Sequence, residues 1–264
     1  EDLIVYGEGG YRFLENSQAA APQQRQLIER KSPLTLDPGA AIQQPLATDI
    51  DHDGDLDLVM ASSTGISLWI NQEKWTFTER TSGSLLAGSE TVKPVSLAAV
   101  DWDRNVLVDI LVGHDQAPLA RLENIRHGRF RWQALKKDLG PPAGLNQLVP
   151  CEMDGNGSWD LLAAHDQGIS LTLTSTRPGE SVWATRTVKL SDTATSGVSS
   201  WDHNNDGIPD VVSWGKEGVQ IFPGSGNGQF SKAFSPSGVP AGNVSACAVG
   251  DLDQDGDQDL ALVV

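Results

Sequence analysis

Cysteine occurs only twice in the 264 residues, as Cys151 and Cys247, too few for a disulfide-dense scaffold. No run of about 18 apolar residues exists, so no segment is built to cross a bilayer as a helix. Basic residues are scarce: 19 Lys and Arg stand against 35 Asp and Glu, a formal net charge of -16. A phosphate backbone and an anionic membrane both require a basic surface, so neither nucleic acid nor membrane insertion is expected. The first ten residues, EDLIVYGEGG, carry neither a basic n-region nor an apolar h-region. A signal peptide has therefore either been removed or was never there. Catalytic signatures are missing as well: there is no G-x-S-x-G, H-E-x-x-H, P-loop or dinucleotide-binding glycine pattern. What the chain does have is 27 glycines, 8 tryptophans and 39% hydrophobic residues, enough for a sizeable core.

Its main feature is a repeat. Five nine-residue segments share one form: DIDHDGDLD from Asp49, DWDRNVLVD from Asp101, EMDGNGSWD from Glu152, DHNNDGIPD from Asp202 and DLDQDGDQD from Asp251. Their starts lie 52, 51, 50 and 49 residues apart. Each follows a short apolar strand and precedes a strongly apolar one, such as LDLVMAS, VDILVGH or WDLLAAH. A glycine or turn leads to a third strand, and a fourth carries aromatics, as in WTFTERT and GRFRWQAL. Short runs rich in Val, Ile, Leu and aromatics, bounded by Gly, Asp and Asn, are strand signals. No segment sustains a helical period beyond ten residues; the nearest rival, QQRQLIERK at Gln23–Lys31, also reads as a fourth strand.

Four strands in about 50 residues make one propeller blade. The expected fold is thus all-β, a β-propeller of four-stranded blades with five to six repeats. The expected organisation is a single domain over 1–264: a partial repeat at 1–43, repeats at 44–95, 96–146, 147–196 and 197–245, and a partial repeat at 246–264. The count gives three strands before Gln44, sixteen in the full repeats and two at the end. Two readings stay open: a fragment of a six- or seven-bladed ring, or a ring whose two ends share a blade.

The acidic loops read as cation cages. Calcium takes six to eight oxygens at about 2.3–2.6 Å from carboxylates, amides, carbonyls and water. The first loop offers Asp49, Asp51, Asp53 and Asp57 at positions 1, 3, 5 and 9, with Gly54 at the turn and the Asp55 carbonyl behind it. The last repeats this with Asp251, Asp253, Asp255 and Asp259. Asp202, Asn204, Asp206 and Asp210 fit, with an amide at position 3; Glu152, Asp154, Asn156 and Asp160 fit, with a longer first acid. The remaining set, Asp101, Asp103, Asn105 and Asp109, lacks the glycine, because Val106 takes its place. A strand follows where an EF-hand would have a helix, and position 12 of the first loop is Ala61, so this is not an EF-hand. Carboxylates crowded into one turn disfavour each other's ionised forms, and a divalent ion removes that cost. These loops hold 19 of the 35 acids. Three to five calcium ions are expected, and five would bring the charge from -16 to -6. Zinc is disfavoured, since the loops contain neither Cys nor paired His. His52 and His203 are expected to face outward.

With its D-x-D-x-D-G-x-x-D loops, each followed by an apolar strand, and a G-N-G-x-F turn at Gly226, Asn227, Gly228 and Phe230, the chain resembles the FG-GAP and VCBS repeat family. The resemblance implies a propeller with calcium between the first two strands of each blade. It places ligands on the Asp49, Asp202 and Asp251 loops, while Val106 departs from the pattern. Integrin α-subunit heads, fungal lectins and many secreted bacterial proteins resemble it likewise, so fold alone does not give function. The expectation is a non-catalytic, calcium-stabilised scaffold, secreted, at a cell surface or periplasmic, with a protein partner or a glycan on a propeller face. A lectin-like module and the accessory domain of a larger secreted enzyme are the alternatives. His114 and His165, in HDQA and HDQG, read as a repeated turn or a ligand-binding pair. The tryptophans read as packing between blades, or as sugar-stacking platforms where solvent-facing.

Overall fold

The computed structural model describes residues 3–7, 10–16, 27–32, 34–35, 41–72, 76–83, 93–114, 118–141, 144–176, 182–239, 241–250 and 258–264. It is an all-β propeller whose five blades are antiparallel sheets of three or four strands. Cα proximity divides the chain into two compact units, residues 1–114 with 120–134, and residues 115–119 with 135–264.

The first unit holds three blades. Strands β1 (Leu3–Gly7), β2 (Gly10–Asn16) and β3 (Leu27–Arg30) form the first, so QQRQLIERK does contribute a strand. The second runs β4 (Ile42–Thr48), β5 (Asp57–Ser62), β6 (Gly65–Asn71) and β7 (Phe77–Glu79). The third runs β8 (Pro94–Val100), β9 (Asp109–His114), β10 (Ala120–Asn124) and β11 (Phe130–Ala134). In the second unit the fourth blade comprises β12 (Leu145–Cys151), β13 (Asp160–His165), β14 (Gly168–Ser175) and β15 (Trp183–Ser191). The fifth has β16 (Gly197–Trp201), β17 (Asp210–Gly215) and β18 (Gly218–Phe222). A final pair, β21 (Ala246–Gly250) and β22 (Asp259–Val263), begins another sheet.

The expected fourth strand of the 197–245 repeat is not a regular one. A small hairpin, β19 (Gly224–Gly226) and β20 (Gln229–Phe230), takes its place, with one bridge from Phe234 back to Ile221. Pro223, directly after β18, lacks the N–H that would continue the ladder.

Strands β5, β9, β13 and β17 are buried along their whole length. Packed on both faces, they read as continuous apolar runs rather than alternating ones. Val59, Ala61 and Leu68 of the second blade meet Ile110, Val112 and Leu122 of the third. Leu162, Leu171 and Leu173 of the fourth likewise meet Val198, Val211 and Phe222 of the fifth. A polar clamp joins first strands: the Gln44 amide donates to the Leu97 carbonyl and accepts from the Leu97 N–H, both at 2.9 Å. Gln147, at the equivalent place, accepts from the Val198 N–H at 3.0 Å. This pairing went unread in the sequence, although both glutamines stand five residues before their loops.

Candidate metal centres

Each acidic loop joins the first and second strands of a blade. Four of the five lie within the described residues; Asp251, Asp253 and Asp255 lie outside them. The four share one backbone. Position 4 takes a positive φ in each, at His52 (65°), Arg104 (60°), Gly155 (77°) and Asn205 (56°). Position 6 does the same, at Gly54 (97°), Val106 (75°), Gly157 (76°) and Gly207 (81°). Val106 thus adopts a conformation that a β-branched residue rarely takes, and its side chain is exposed. Loss of the glycine leaves the turn intact and strains it.

The acids hold that backbone. At position 1, Asp49 Oδ1 accepts from the N–H groups of His52 (2.7 Å) and Asp53 (3.2 Å), and Oδ2 from Gly54 (3.1 Å). Asp101 accepts from Asn105 and Val106, both at 2.9 Å, and Asp202 from Asp206 (3.1 Å) and Gly207 (2.7 Å). The longer Glu152 reaches Gly155 (2.6 Å) and Asn156 (3.1 Å) instead. At position 5, Asp53, Asn105, Asn156 and Asp206 each accept from the N–H two residues on, that of Asp55, Leu107, Ser158 or Ile208.

Position 9 is a buried staple. Asp57, Asp109, Asp160 and Asp210 are all fully buried. One oxygen of each accepts from the N–H of position 2 (Ile50, Trp102, Met153, His203) at 2.8–3.2 Å. The other accepts from the end of the third strand or just beyond it (Asn71, Asn124, Thr174, Gly224) at 2.6–2.8 Å. Position 2 consequently points inward: Ile50, Trp102 and Met153 are buried. The expectation that His203 faces outward is not met, since its Nδ1 contacts Asp210 Oδ2. His52 does face outward.

Three groups of acids bring one oxygen apiece to within 4.8 Å of one another: Asp49, Asp51 and Asp57; Asp101, Asp103 and Asp109; Glu152, Asp154 and Asp160. They can hold a cation, and their electrostatics favour one. Burial raises the carboxyl pKa of Asp51, and the charges of Asp53 and Asp49 add to the effect. Burial likewise raises Asp57, against the pull of the Asn71 and Ile50 N–H groups. Asp160 is pushed up to about 6, by burial first, with the nearby Asp154 and Glu152 charges contributing. One buried oxygen, Asp51 Oδ1, has no hydrogen-bond partner. A buried acceptor left unpaired is costly, and a hard cation is the partner this donor set fits.

The loops differ at position 3. In the Asp202 loop the acids are satisfied locally, with Asn204 Nδ2 donating to Asp206 Oδ2 at 2.9 Å, and they form no such group among the described residues. In the Glu152 loop Asn156 Nδ2 donates to Asp154 Oδ2 (3.1 Å) and to the Thr174 carbonyl (2.7 Å). In the Asp101 loop a guanidinium enters: Arg121 Nη2 lies 2.5 Å from Asp103 Oδ2 and 2.8 Å from Asp109 Oδ2. Arg121 stands on β10, 18 residues beyond Asp103, and sequence reasoning did not find it.

The other candidates resolve towards structure. His114 and His165 are buried at the ends of β9 and β13, and burial lowers both their pKa values. His165 Nδ1 accepts from the Gln167 N–H at 3.2 Å, so in that repeat the HDQ motif closes a turn. Both cysteines are free thiols, with Cys247 pushed up to about 11 by burial and Cys151 raised further, so neither is an activated nucleophile. Trp69, Trp102 and Trp214 are buried, and Trp132, Trp159, Trp183 and Trp201 are half-buried. No described tryptophan is a solvent-facing platform.

Residues 49–112 and 202–262 match the model of the FG-GAP-like repeat family. No curated protein matches the sequence. Among solved structures, the chain is similar to an Agrocybe aegerita lectin described as recognising non-reducing terminal N-acetylglucosamine. That match has 17% identity and a TM-score of 0.60, covering 98% of this chain and 69% of the other. A chain of the BBS1N–ARL6DN complex matches at 13% identity and a TM-score of 0.59, over 99% and 71%. A chain of the Photorhabdus luminescens Tc holotoxin pore matches at 14% identity and a TM-score of 0.54, over 100% of this chain and 12% of that one. At these identities the likeness concerns the fold alone.

Proposed function

We propose that these FG-GAP-like repeats form a calcium-stabilised, non-catalytic propeller that works outside the cytoplasm as a protein-interaction or adhesion scaffold. The observation that carries the reading is the Asp49 loop: three acids within 4.8 Å of one another and a buried Asp51 oxygen without a partner. Asp49, Asp51 and Asp57 would hold one ion, with Glu152, Asp154 and Asp160 holding a second. The Asp251 loop carries the Asp49 pattern at every acidic position and would hold another, and the Asp202 loop would do so if Asn204 turned its oxygen inward. Binding an ion to the folded chain alone adds stability by mass action. Extracellular calcium modules bind at about 10⁻⁴–10⁻³ M, which suits a secreted, cell-surface or periplasmic setting.

A protein partner is favoured by the first blade, which exposes Val5, Tyr6, Leu27 and Ile28. They lie on β1 and β3, where neighbours in sequence alternate between the two faces of the sheet, so each face offers exposed apolar side chains to a partner. A glycan is the second reading. It rests on a cavity of about 250 Å³ beside Trp214, where Ser191, Thr195, Ser213 and Gln220 present hydroxyls and an amide. The test of the calcium reading is metal analysis of protein purified without chelator, together with melting curves in EDTA, Ca²⁺ and Mg²⁺. Bound calcium and a melt restored by Ca²⁺ far better than by Mg²⁺ are expected; protein that carries no divalent ion and melts identically in EDTA would overturn it. A glycan array separates the two partner readings.

A further inference from the structure

We propose that the Asp101 loop takes no metal ion, because Arg121 supplies its cation from within the chain. The inference rests on the reading that the sister loops bind calcium. The Asp101 loop has the same left-handed residues at positions 4 and 6 as its sisters, and the same N–H bonds to positions 1, 5 and 9. Its three acids, like those of the Asp49 loop, bring one oxygen each to within 4.8 Å of one another. What distinguishes it is the residue facing the second strand. Arg121 pairs with Leu111, two residues after the position-9 acid. At the same register the second blade pairs Leu68 with Val59, the fourth Leu171 with Leu162, and the fifth Ile221 with Val212. An arginine thus stands where the other blades place a buried aliphatic residue.

Arg121 is itself 6% exposed, and one nitrogen reaches two carboxylates of the cluster. Burying a guanidinium is costly unless it is paired; here Nη2 is paired with both acids while Nε has no hydrogen-bond partner, so the loop neutralises the charge of the arginine without filling all of its donors. Asp51, the equivalent of Asp103, keeps an unpartnered oxygen in the loop without an arginine. A divalent ion at Asp103 and Asp109 would have to sit against a fixed positive charge within about 3 Å of both acids, where repulsion is strong.

The experiment counts calcium bound by the full chain at saturation, by equilibrium dialysis with elemental analysis, in four proteins. Asp51→Ala, which unlike an asparagine leaves no oxygen at position 3, should lower the wild-type count by one. Asp103→Ala, at a half-exposed side chain, should leave it unchanged. Arg121→Leu, which installs the residue of the second and fourth blades, should raise it by one. A count that falls by one in Asp103→Ala overturns the inference, as does a folded Arg121→Leu protein with the wild-type count. Should Arg121→Leu fail to fold, Asp103→Ala alone decides. A wild type without calcium, unaffected by Asp51→Ala, instead marks failure of the underlying calcium reading, and the inference falls with it.

Discussion

In the second blade the Asp49 loop gathers three carboxylates, that of Asp51 with an unpartnered oxygen; in the third blade the Asp101 loop gathers three, two of them paired with the Arg121 guanidinium. Their backbones agree in conformation at both left-handed positions, down to the positive φ of Val106 at the place of Gly54. The comparison separates two jobs that one motif performs. Carboxylate or amide oxygens at positions 1, 5 and 9 fold the loop by capturing its own N–H groups. The acids then need a positive charge, and the chain can import one as an ion or grow one on a neighbouring strand. A match to the motif therefore reports the loop's shape; on the proposal made above, its occupancy depends on a residue outside it.

The largest effect should come from removing calcium. In about 10 mM Ca²⁺, about ten to a hundred times the Kd of extracellular calcium modules, each ion contributes about 1–3 kcal/mol, so EDTA should lower the melting temperature by on the order of 10 °C, as read by differential scanning calorimetry. Asp51→Ala should absorb part of that drop, and Asp103→Ala none of it.

Next in size is a contrast between the two staples, measured by urea unfolding in EDTA. Asp109→Asn leaves a buried guanidinium with one partner fewer and should cost about 3 kcal/mol. Asp57→Asn gives up one of its two N–H bonds but orphans no cation, so it should cost less, about 2 kcal/mol. Equal losses would show that Arg121 contributes nothing particular to its loop.

A smaller effect concerns pH. Asp57, Asp109 and Asp160 are all raised by burial, Asp160 to about 6. Between about pH 4 and pH 6 the metal-free folded chain thus binds more protons than the unfolded one, and its unfolding free energy falls as pH rises through that window. Urea titrations in EDTA at pH 5 and pH 7 should differ by about 1 kcal/mol in favour of pH 5, from Asp160. Asp160→Asn should flatten the trend, and saturating calcium, which favours the ionised form, should reverse it.

The smallest effect is at position 6. Val106→Gly relieves a left-handed β-branched residue and should stabilise the chain by about 1 kcal/mol, with no change in bound calcium. Gly54→Val should destabilise by a similar amount, because nothing crowds the added Cβ and only its φ is unfavourable.

Much of the architecture was legible in the residues. The strand tally before Gln44 and after Ser245 matches β1–β3 and β21–β22, because fully buried central strands leave apolar runs that Gly and Asp punctuate. The fourth strand of the fifth blade was overread, since GQFSKAF has the composition of a strand but Pro223 blocks its pairing. Position 2 was misjudged for His203 because a loop residue reads as exposed by default; the staple at Asp210 turns that residue inward. The departure of the Asp101 loop legible in the sequence is Val106, which is local; Arg121, on another strand, is a second departure that only the structure brings to the loop.

What the sequence determined by itself is what nine consecutive residues can settle among themselves. Side-chain oxygens of Asp, Asn or Glu spaced at 1, 5 and 9 reach their own backbone N–H groups, so the turn recurs wherever the spacing does, at an interval that leaves room for four strands in a blade. Tertiary structure alone decided what meets those carboxylates. Arg121 follows Asp109 by twelve residues and carries no motif; only the antiparallel register that sets it opposite Leu111 brings its charge to the loop. Coulomb attraction depends on distance in space, and sheet pairing, which sequence spacing does not encode, sets that distance.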